Sequence, residues 1–489
     1  MSLEDLVGAR EAKLRLLQER GINPYPDRAS FLCVYSEKIR ANFKKLSENG
    51  KPLGIQGRLL AKREHGGSVF IDIADGAGKL QVFLAKDKIG VEAFDLFSEA
   101  ADIGDFIAVW GKPFYTKREE MTIEAARWEM LAKTLRPLPE KWHGLHDVEE
   151  RFRRRYLDIL MNPDVKSRFM LRSHLVAELR ALLIKEEYIE VETPILQPLY
   201  GGALAEPFVT HHRSLDIDMY LRVAPELYLK RLLAAGFDKI YEIGRNFRNE
   251  GIDATHNPEF TTIELYAAYV NAEELRNFIA GVLYNLIKKT TGSVEFEFEE
   301  HKIVFPKKIP TIPFWTILER HALIPHADKL SREELALRAR QFGITPEAHE
   351  IKDKIANEIF SKICRPKIIQ PVYVVDYPIA ISPLAKNLPG NPEMVDRFQL
   401  VVGGLEVINA FSELNDPKEQ RRRFEFQEEM RGGADKEAHP MDAEFIEMLE
   451  YGMPPAAGLA VSIDRMTMLL SNTKSIKEVI IFPTLKPKE

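Results

Sequence analysis

The stretch from Tyr241 to Tyr266, YEIGRNFRNEGIDATHNPEFTTIELY, restricts the fold of this chain more than any other. Two runs of strand character flank a polar loop that carries His256, Asn257 and Pro258. Side chains alternate faces along a strand, so Phe260, Thr262, Glu264 and Tyr266 share one face. That face offers a ring, a hydroxyl, a carboxylate and a phenol, with Arg248 and Glu250 on the return path. Charges packed beside aromatics cost desolvation unless they are partnered. The pattern is therefore poor for a core and good for holding a nucleotide beside a charged small molecule. Taken alone, it equally describes a half-exposed hairpin with a polar outer face.

The chain has 489 residues, enough for two or more domains, and its 45% hydrophobic and 29% charged residues are those of a globular protein. A net charge of -6 provides no global basic field, so any contact with nucleic acid must be local. Two distant cysteines, Cys33 and Cys364, make neither a disulfide framework nor a CxxC metal site, which suits a reducing cytoplasm. No apolar run is long enough to span a bilayer, and the charged amphipathic N-terminus lacks a secretory core. The sequence contains no GxxxxGK[ST], HExxH or GxSxG, and no GxGxxG after a strand. A bound nucleotide must then be held by side chains.

Residues 4 to 20 read as a helix, followed over 54 to 135 by three strand-like runs, a helix and two more strand-like runs. That is the order of an OB-fold, a small β-barrel that binds nucleic acid. Within it the VFIDI run needs inward apolar positions, which by itself makes Phe70 a barrel core residue. The Pro- and Gly-bearing segment from Arg136 to Glu150 reads as an interdomain linker. A basic cluster follows at Arg151, Arg153, Arg154 and Arg155, either a solvated helix face or a crossing point for nucleic acid. Asn162 and Pro163 mark a helix start, with Leu171, Leu175, Leu179 and Leu182 on one face. The strand YIEVETPIL comes next, with Pro194 making it an edge or a break. Pro225 opens a helix that has Glu226 in its first turn and Gly236 at its end. Residues 272 to 372 show no recognisable chemistry. Gly403-Gly404 reads as a two-residue hairpin turn, placing Gln399 and Glu406 on one face. Glu406 and Glu413 have opposite parity, so serving one cavity requires a bulge between them.

These blocks, in this order, resemble the three signature motifs of class II aminoacyl-tRNA synthetases, and most closely the bacterial lysyl-tRNA synthetases. The phrases GGALAEPFVTHH, DMYLRVAPELYLKRL, RNFRNEGI, HNPEFTTIELY, SPLAKN, FSELND and LEYGMPPAAGL carry the resemblance nearly end to end. It implies an α+β fold: an antiparallel catalytic sheet flanked by helices, preceded by an anticodon-binding OB-fold. The expected division is residues 1–140 for the N-terminal helix and barrel, 141–155 for the linker, and 156–489 for the catalytic domain, with 272–390 as elaboration. The resemblance further implies a cytoplasmic homodimer, with the segment at Pro194 in its interface, no membrane association, and Mg2+ as cofactor. The implied reaction makes lysyl-adenylate from L-lysine and ATP, then transfers the lysyl group to tRNA(Lys).

By the same resemblance, Arg248 bridges the lysine carboxylate and the α-phosphate, Phe260 stacks on adenine, and Glu250 and His256 hold the base and the phosphates. Arg465 faces the γ-phosphate. Glu413 and Tyr266 accept from the lysine ammonium with Asn409 nearby, while Gly202 and Glu226 hold the α-amino group and Glu264 adds negative charge. Glu406 and Gln399 stand where the family has two magnesium-ligating glutamates. In the barrel, Phe70 is implied to stack on a base of a uridine-rich anticodon, with Arg63, Gln81 and Glu120 reading base edges.

The chain departs from the family pattern at Gln399, which is neutral, and at Ala460, Ser462 and Ala410, which replace glycines. Glu206 and Arg213 also replace an arginine and an asparagine. These departures expect weaker magnesium binding and altered ATP affinity. They also leave open a second reading, an RNA-binding regulatory protein with an impaired synthetase domain. A third, a ligase that lysylates a protein, conflicts with the presence of the OB-fold.

Overall fold

A computed structural model describes residues 2–139, 147–348, 350–432 and 440–488. Contacts divide the chain into two units, one within 1–145 and the other within 146–489. Residues 140–146 of the expected linker lie outside the described residues. The rest of that segment is not an open linker: Val148–Arg153 is a helix, and a second helix begins at Arg155.

In the first unit, β1 (Leu53–His65), β2 (Ser68–Ala74), β3 (Lys79–Ala85), β4 (Phe106–Tyr115) and β5 (Met121–Ala132) close a barrel in the order β1-β2-β3-β5-β4. One long strand serves two neighbours: the first half of β1 pairs with β4 and the second half with β2, across a register shift between Leu59 and Ala61. Alternation fills the interior with Val69, Ile71 and Ile73 from β2 and Leu80, Val82 and Leu84 from β3. The helix Val91–Ala100 adds buried Phe94 and Phe97. Phe70 therefore lies on the outer face, not in the core, where its ring packs on Phe83 at 4.7 Å.

The second unit contains β6 (Ile189–Glu190), β7 (Leu196–Gln197), β8 (Val209–His212), β9 (Ile217–Leu221), β10 (Lys239–Phe247), β11 (Glu259–Ala268), β12 (Glu295–Phe298), β13 (His301–Val304), β14 (Thr311–Pro313), β15 (Val372–Pro378), β16 (Asn387–Leu388), β17 (Asn391–Val402), β18 (Leu405–Ser412) and β19 (Ala456–Ser462). Its nine-stranded sheet runs β14-β15-β17-β18-β19-β11-β10-β6, with β16 beside β17. Pairing is antiparallel except at the two ends, β14 with β15 and β6 with β10. One face is the apolar core: Ile263, Leu265 and Ala267 of β11, Leu459 and Val461 of β19 and Leu400 of β17 pack with the helices Pro163–Lys185 and Ala272–Thr291. Each such buried side chain contributes about 1.5–3 kcal/mol. The other face is free to carry polar chemistry.

Several local expectations change. The buried ridge of the helix Pro163–Lys185 is Leu175, Leu179 and Leu183, an i, i+4 series; Leu171 and Leu182 are only half-buried. Asn162 occupies the N-cap position, but its side chain donates to Asp158 at 2.7 Å instead of capping, and Pro163 alone sets the start. The run YIEVETPIL is not one strand: Pro194 splits it into β6 and β7, which join different sheets. At the break, Thr193 donates its hydroxyl to Glu242 at 2.7 Å, and Arg222 pairs with the same carboxylate. Pro225 is the N-cap residue of the helix Glu226–Ala234, one position before its expected place.

The basic cluster is consumed internally. Arg155 is fully buried, pairs with Asp158 at 2.8 Å and donates to the carbonyls of Lys477 and Ile481. Arg151 pairs with Asp158, Arg153 with Glu149, and Arg154 with Glu150. Arg151, Arg153 and Arg155 clamp the C-terminal segment, while Arg154 stays exposed beside Glu150.

Candidate active site

The polar face of the sheet lines a cavity of about 410 Å³. β11 supplies Phe260, Thr262, Glu264 and Tyr266, while Ile263 and Leu265 point into the core, so the period-2 pattern separates chemistry from packing. The loop before β11 supplies Arg248, Glu250 and His256, the helix Glu226–Ala234 supplies Glu226, and β17 and β18 supply Arg397, Gln399, Glu406 and Asn409. Gly202, Ala460, Ser462 and Arg465 complete the walls. Every catalytic-domain residue expected at the site lines this cavity except Glu413 and Pro194. Glu413 is buried directly behind Gly458: a Cβ on that glycine would lie 2.3 Å from Glu413 Oε1 and 2.3 Å from the Tyr266 ring. Pro194 is exposed elsewhere on the unit.

The expected bulge is present. Leu400 pairs with Ile408 and Val401 with Glu406, leaving Val407 as the extra residue. That extra residue restores the parity between Glu406 and the end of the strand. The turn itself has both glycines at positive φ, 57° at Gly403 and 74° at Gly404, as a two-residue hairpin turn requires.

One end of the cavity is acidic. Glu226, Glu264 and Glu413 are all buried, with the phenol of Tyr266 donating to Glu264 at 3.2 Å. Their one ammonium neighbour is Lys230, fully buried, 2.6 Å from Glu226 and 2.5 Å from Glu413. Lys230 is thus shared between two buried carboxylates, and among the described residues no Lys, Arg or His lies within ion-pair distance of Glu264. Burial, with Glu226 nearby, pushes the Glu264 carboxyl up to about 8. Burial also raises Glu413, with Lys230 opposing and Glu226 reinforcing the rise. Burial raises Glu226 against the pull of Lys230. Three buried carboxyl groups with one ammonium between them leave this end of the cavity short of positive charge, and Glu226 and Glu264 line it directly.

The other end is basic. The Arg248 guanidinium lies 5.1 Å from the centre of the Phe260 ring, and its Nε is buried without a partner. Arg465 begins the helix Ile463–Leu470, where Ser462 Oγ accepts from its backbone N–H at 3.2 Å. The Ser462 hydroxyl thus caps the helix that carries Arg465. Arg465 Nη1 donates to the Glu406 carbonyl at 2.9 Å, and Nη2 lies 3.3 Å from His256 Nε2. An arginine can only donate, so His256 Nε2 accepts and its Nδ1–H points to Asp253 at 2.9 Å. Burial opposes it, but hydrogen bonds from the Thr255 N–H and His256 hold Asp253 down at about 2. Asp464 fastens the same helix, pairing with Arg172 at 2.6 Å and accepting from Thr261 N–H at 2.7 Å.

The expected magnesium ligands do not form a metal site by themselves. Arg365 stands 3.4 Å from the Glu406 carboxylate, and Gln399 Oε1 accepts from the Tyr377 hydroxyl at 2.9 Å. Among the described residues no three His, Cys, Asp or Glu side chains gather as a metal site would need. One engaged carboxylate and one neutral amide do not fit a protein-held divalent ion.

Sequence reasoning missed three residues here. Lys230 was legible as the i, i+4 partner of Glu226, and Arg397 as a same-face neighbour of Gln399. Arg397 donates to Asn409 Oδ1 at 2.9 Å and to Ser382 Oγ at 2.8 Å. Arg365, with Asn357, Phe360 and Ser361, reaches the cavity from the segment expected to hold no chemistry. A π-helical turn, Phe360–Cys364, redirects that helix at this point.

In the barrel unit, Arg63, Gln81 and Glu120 line one depression together with Arg40, Asp72 and Lys79. Arg63 pairs with Asp72 at 2.8 Å, and Thr122 donates to Gln81 Oε1 at 2.9 Å. Phe70 is the cross-strand partner of Arg63 but stands outside the depression's lining.

The sequence matches two family models: one described as tRNA synthetases class II (D, K and N) over residues 147–486, and one described as OB-fold nucleic acid binding domain over residues 54–131. The chain is 45% identical over 490 residues to the lysine–tRNA ligase of Pelotomaculum thermopropionicum, covering 100% of this chain and 96% of that protein. It is 43% identical to the lysine–tRNA ligase of Carboxydothermus hydrogenoformans, covering 100% and 99%. Against the lysine–tRNA ligase of Aquifex aeolicus it is 44% identical, covering 92% and 76%.

Proposed function

This chain belongs to the class II tRNA synthetases, and on that premise we propose that it activates L-lysine with ATP and passes the lysyl group to tRNA(Lys). The acidic end of the cavity carries the choice of amino acid. Three buried carboxyl groups share one buried ammonium, which pairs with Glu226 and Glu413 and leaves Glu264 without a cationic partner among the described residues. A lysine side chain brings three N–H donors and one positive charge to that spot. A substrate with an acidic side chain would bring further acceptors to a set of buried acceptors and be rejected.

In this reading the long end of lysine meets Glu413 and Tyr266, and its α-amino group meets Glu226 and the backbone at Gly202. Glu264 adds field, and Asn409 is steered by Arg397. The lysine carboxylate lies between Arg248 and the α-phosphate. Already ionised, it needs no general base: its oxygen bonds to the α-phosphorus as the bond to pyrophosphate breaks. The protein's task is alignment and neutralisation of charge. A planar fork at Arg248 serves carboxylate and phosphate together, which a lysine would not. Phe260 offers its ring to adenine, Glu250 the rim, and Arg465 its guanidinium to the terminal phosphate, with His256 holding that guanidinium in place. In the second step the terminal adenosine hydroxyl of tRNA attacks the lysyl carbonyl and AMP leaves.

The family uses ATP and typically needs Mg2+, which enters here as part of the ATP substrate complex. Arg63, Gln81 and Glu120 read anticodon bases while Phe70 stacks at their border. The chain works as a homodimer in the cytoplasm, with Pro194 and its exposed neighbours Ile189, Ile195 and Leu196 at the interface. No described helix is long and apolar enough to cross a membrane. A regulatory RNA-binding role without catalysis draws no support from these features. Pyrophosphate exchange across a panel of amino acids tests the reading: exchange with lysine alone is expected, and exchange with none overturns it. Charging of transcripts with altered anticodons then separates a tRNA ligase from one that modifies protein.

A further inference from the structure

We propose that Arg365 is an ATP-contacting residue, whose guanidinium supplies at the Glu406–Gln399 corner the positive charge that a carboxylate-held metal ion would otherwise supply. The proposal rests on the ligase reading and concerns how its polyphosphate is neutralised.

Three observations carry it. The donor set is wrong for a metal and right for a cation already present. Gln399 is neutral and spends its carbonyl on Tyr377, while Glu406 faces Arg365 at 3.4 Å. The Arg365 side chain is also still reachable, 21% exposed, and lines the cavity together with Arg248 and Arg465. Four guanidinium groups line the cleft, Arg248, Arg365, Arg397 and Arg465, and among the described residues only Arg365 has a carboxylate within ion-pair distance, Glu406; Arg465 rests on a backbone carbonyl and a histidine, and Arg397 on Asn409 and Ser382. A polyanion is the ligand that satisfies them.

The position is also built rather than accidental. Arg365 opens the short helical turn Arg365–Lys367, and the next two residues are tied to the β17–β18 hairpin. Gly404 N–H donates to the Ile368 carbonyl at 2.8 Å, and Gly403 N–H to the Ile369 carbonyl at 2.9 Å. Pro366 presses so close to the turn that a Cβ on Gly404 would lie 3.2 Å from its Cα. The hairpin that presents Glu406 therefore also fixes the backbone of Arg365. Burial pulls the Arg465 pKa below its ordinary value while the group stays charged; Glu406 opposes the shift, and Arg365 and Arg248 add to it, as expected of cations converging on one space.

The test has two arms on the full-length protein. In lysine-dependent pyrophosphate exchange, Arg365→Gln is expected to raise KM for ATP by ~10–100-fold, the loss of one charge-assisted contact, with KM for lysine unchanged. Arg365→Lys should restore part of it. An ATP KM within twofold of the parent overturns the proposal. In the second arm, Mn2+ is titrated by electron paramagnetic resonance into the unaltered protein with a non-hydrolysable ATP analogue. One ion per site is expected; a second ion bound at comparable affinity overturns the proposal even if the variants fail to fold. The paired change Arg365→Glu with Gln399→Glu should create that second site. Absence of lysine-dependent exchange in the unaltered protein would instead remove the ligase reading itself.

Discussion

The acidic end of the cavity makes a quantitative prediction about pH. Burial pushes the Glu264 carboxyl up to about 8 and raises that of Glu413, where Lys230 opposes the rise. A lysine ammonium binds their ionised forms, so binding below that pH must expel protons. With one group to deprotonate, KM for lysine should rise ~tenfold for each pH unit below 8; with both, up to ~hundredfold, since one unit is worth about 1.4 kcal/mol per group. The assay is pyrophosphate exchange at pH 6, 7 and 8 with ATP saturating. KM for ATP, measured separately at saturating lysine, is the internal control between pH 7 and 8, where neither arginine nor the already ionised terminal phosphate changes charge appreciably, and should not share the slope. Glu413→Gln should flatten the lysine dependence to one group's worth and weaken lysine binding by about 2–5 kcal/mol, the cost of removing one partner from a buried charge pair. Stability follows the same sign. A carboxyl raised in the folded state stabilises below its unfolded value near 4.5, and that contribution is lost as pH rises through 8. The lysine-free protein should therefore melt lower at pH 8 than at pH 6, and lysine should narrow the gap. A lysine KM that is flat from pH 6 to 8, or a slope untouched by Glu413→Gln, would refute the reasoning.

Other perturbations separate the parts of the site. Gly458→Ala pushes a methyl group against Glu413 and Tyr266 and should cost ~1–3 kcal/mol, seen as a raised KM for lysine with KM for ATP little changed. Ser462→Ala removes the cap of the helix carrying Arg465; denaturant unfolding should show a loss of ~1 kcal/mol, with a raised KM for ATP. Phe70→Ala should weaken tRNA charging by ~1–3 kcal/mol in kcat/KM while leaving pyrophosphate exchange unchanged. Arg155→Met removes one of three donors to Asp158, leaving Arg151 and Asn162, and frees the carbonyls of Lys477 and Ile481; it should lower stability by ~1–3 kcal/mol in thermal or denaturant unfolding.

What the sequence revealed and what it hid divide along the range of the interaction. The face shared by Phe260, Thr262, Glu264 and Tyr266 follows from the two-residue period of a strand. The bulge at Val407 follows from parity alone, because a one-residue mismatch between Glu406 and Glu413 has few other remedies. The barrel order was legible from the succession of short runs and their turns. The outward place of Phe70 was not, because VFIDI reads as apolar in either phase. The basic cluster misled because its partners, the carbonyls of Lys477 and Ile481, lie over 300 residues away. Arg365 was invisible for the same reason: nothing local ties it to Glu406, and the link passes through backbone bonds to a distant hairpin. The run YIEVETPIL has strand propensity throughout, yet Pro194 and the Thr193–Glu242 bond decide against it.

Lys230 gives the acidic end a further property. One turn beyond Glu226 on the same helix, it sets a fixed ammonium among the carboxylates that await a mobile one. Lys230 does this from behind the wall, since it pairs with Glu226 and Glu413 without itself lining the cavity. It is one lever on two carboxylates, and shortening it would strand both buried charges at once.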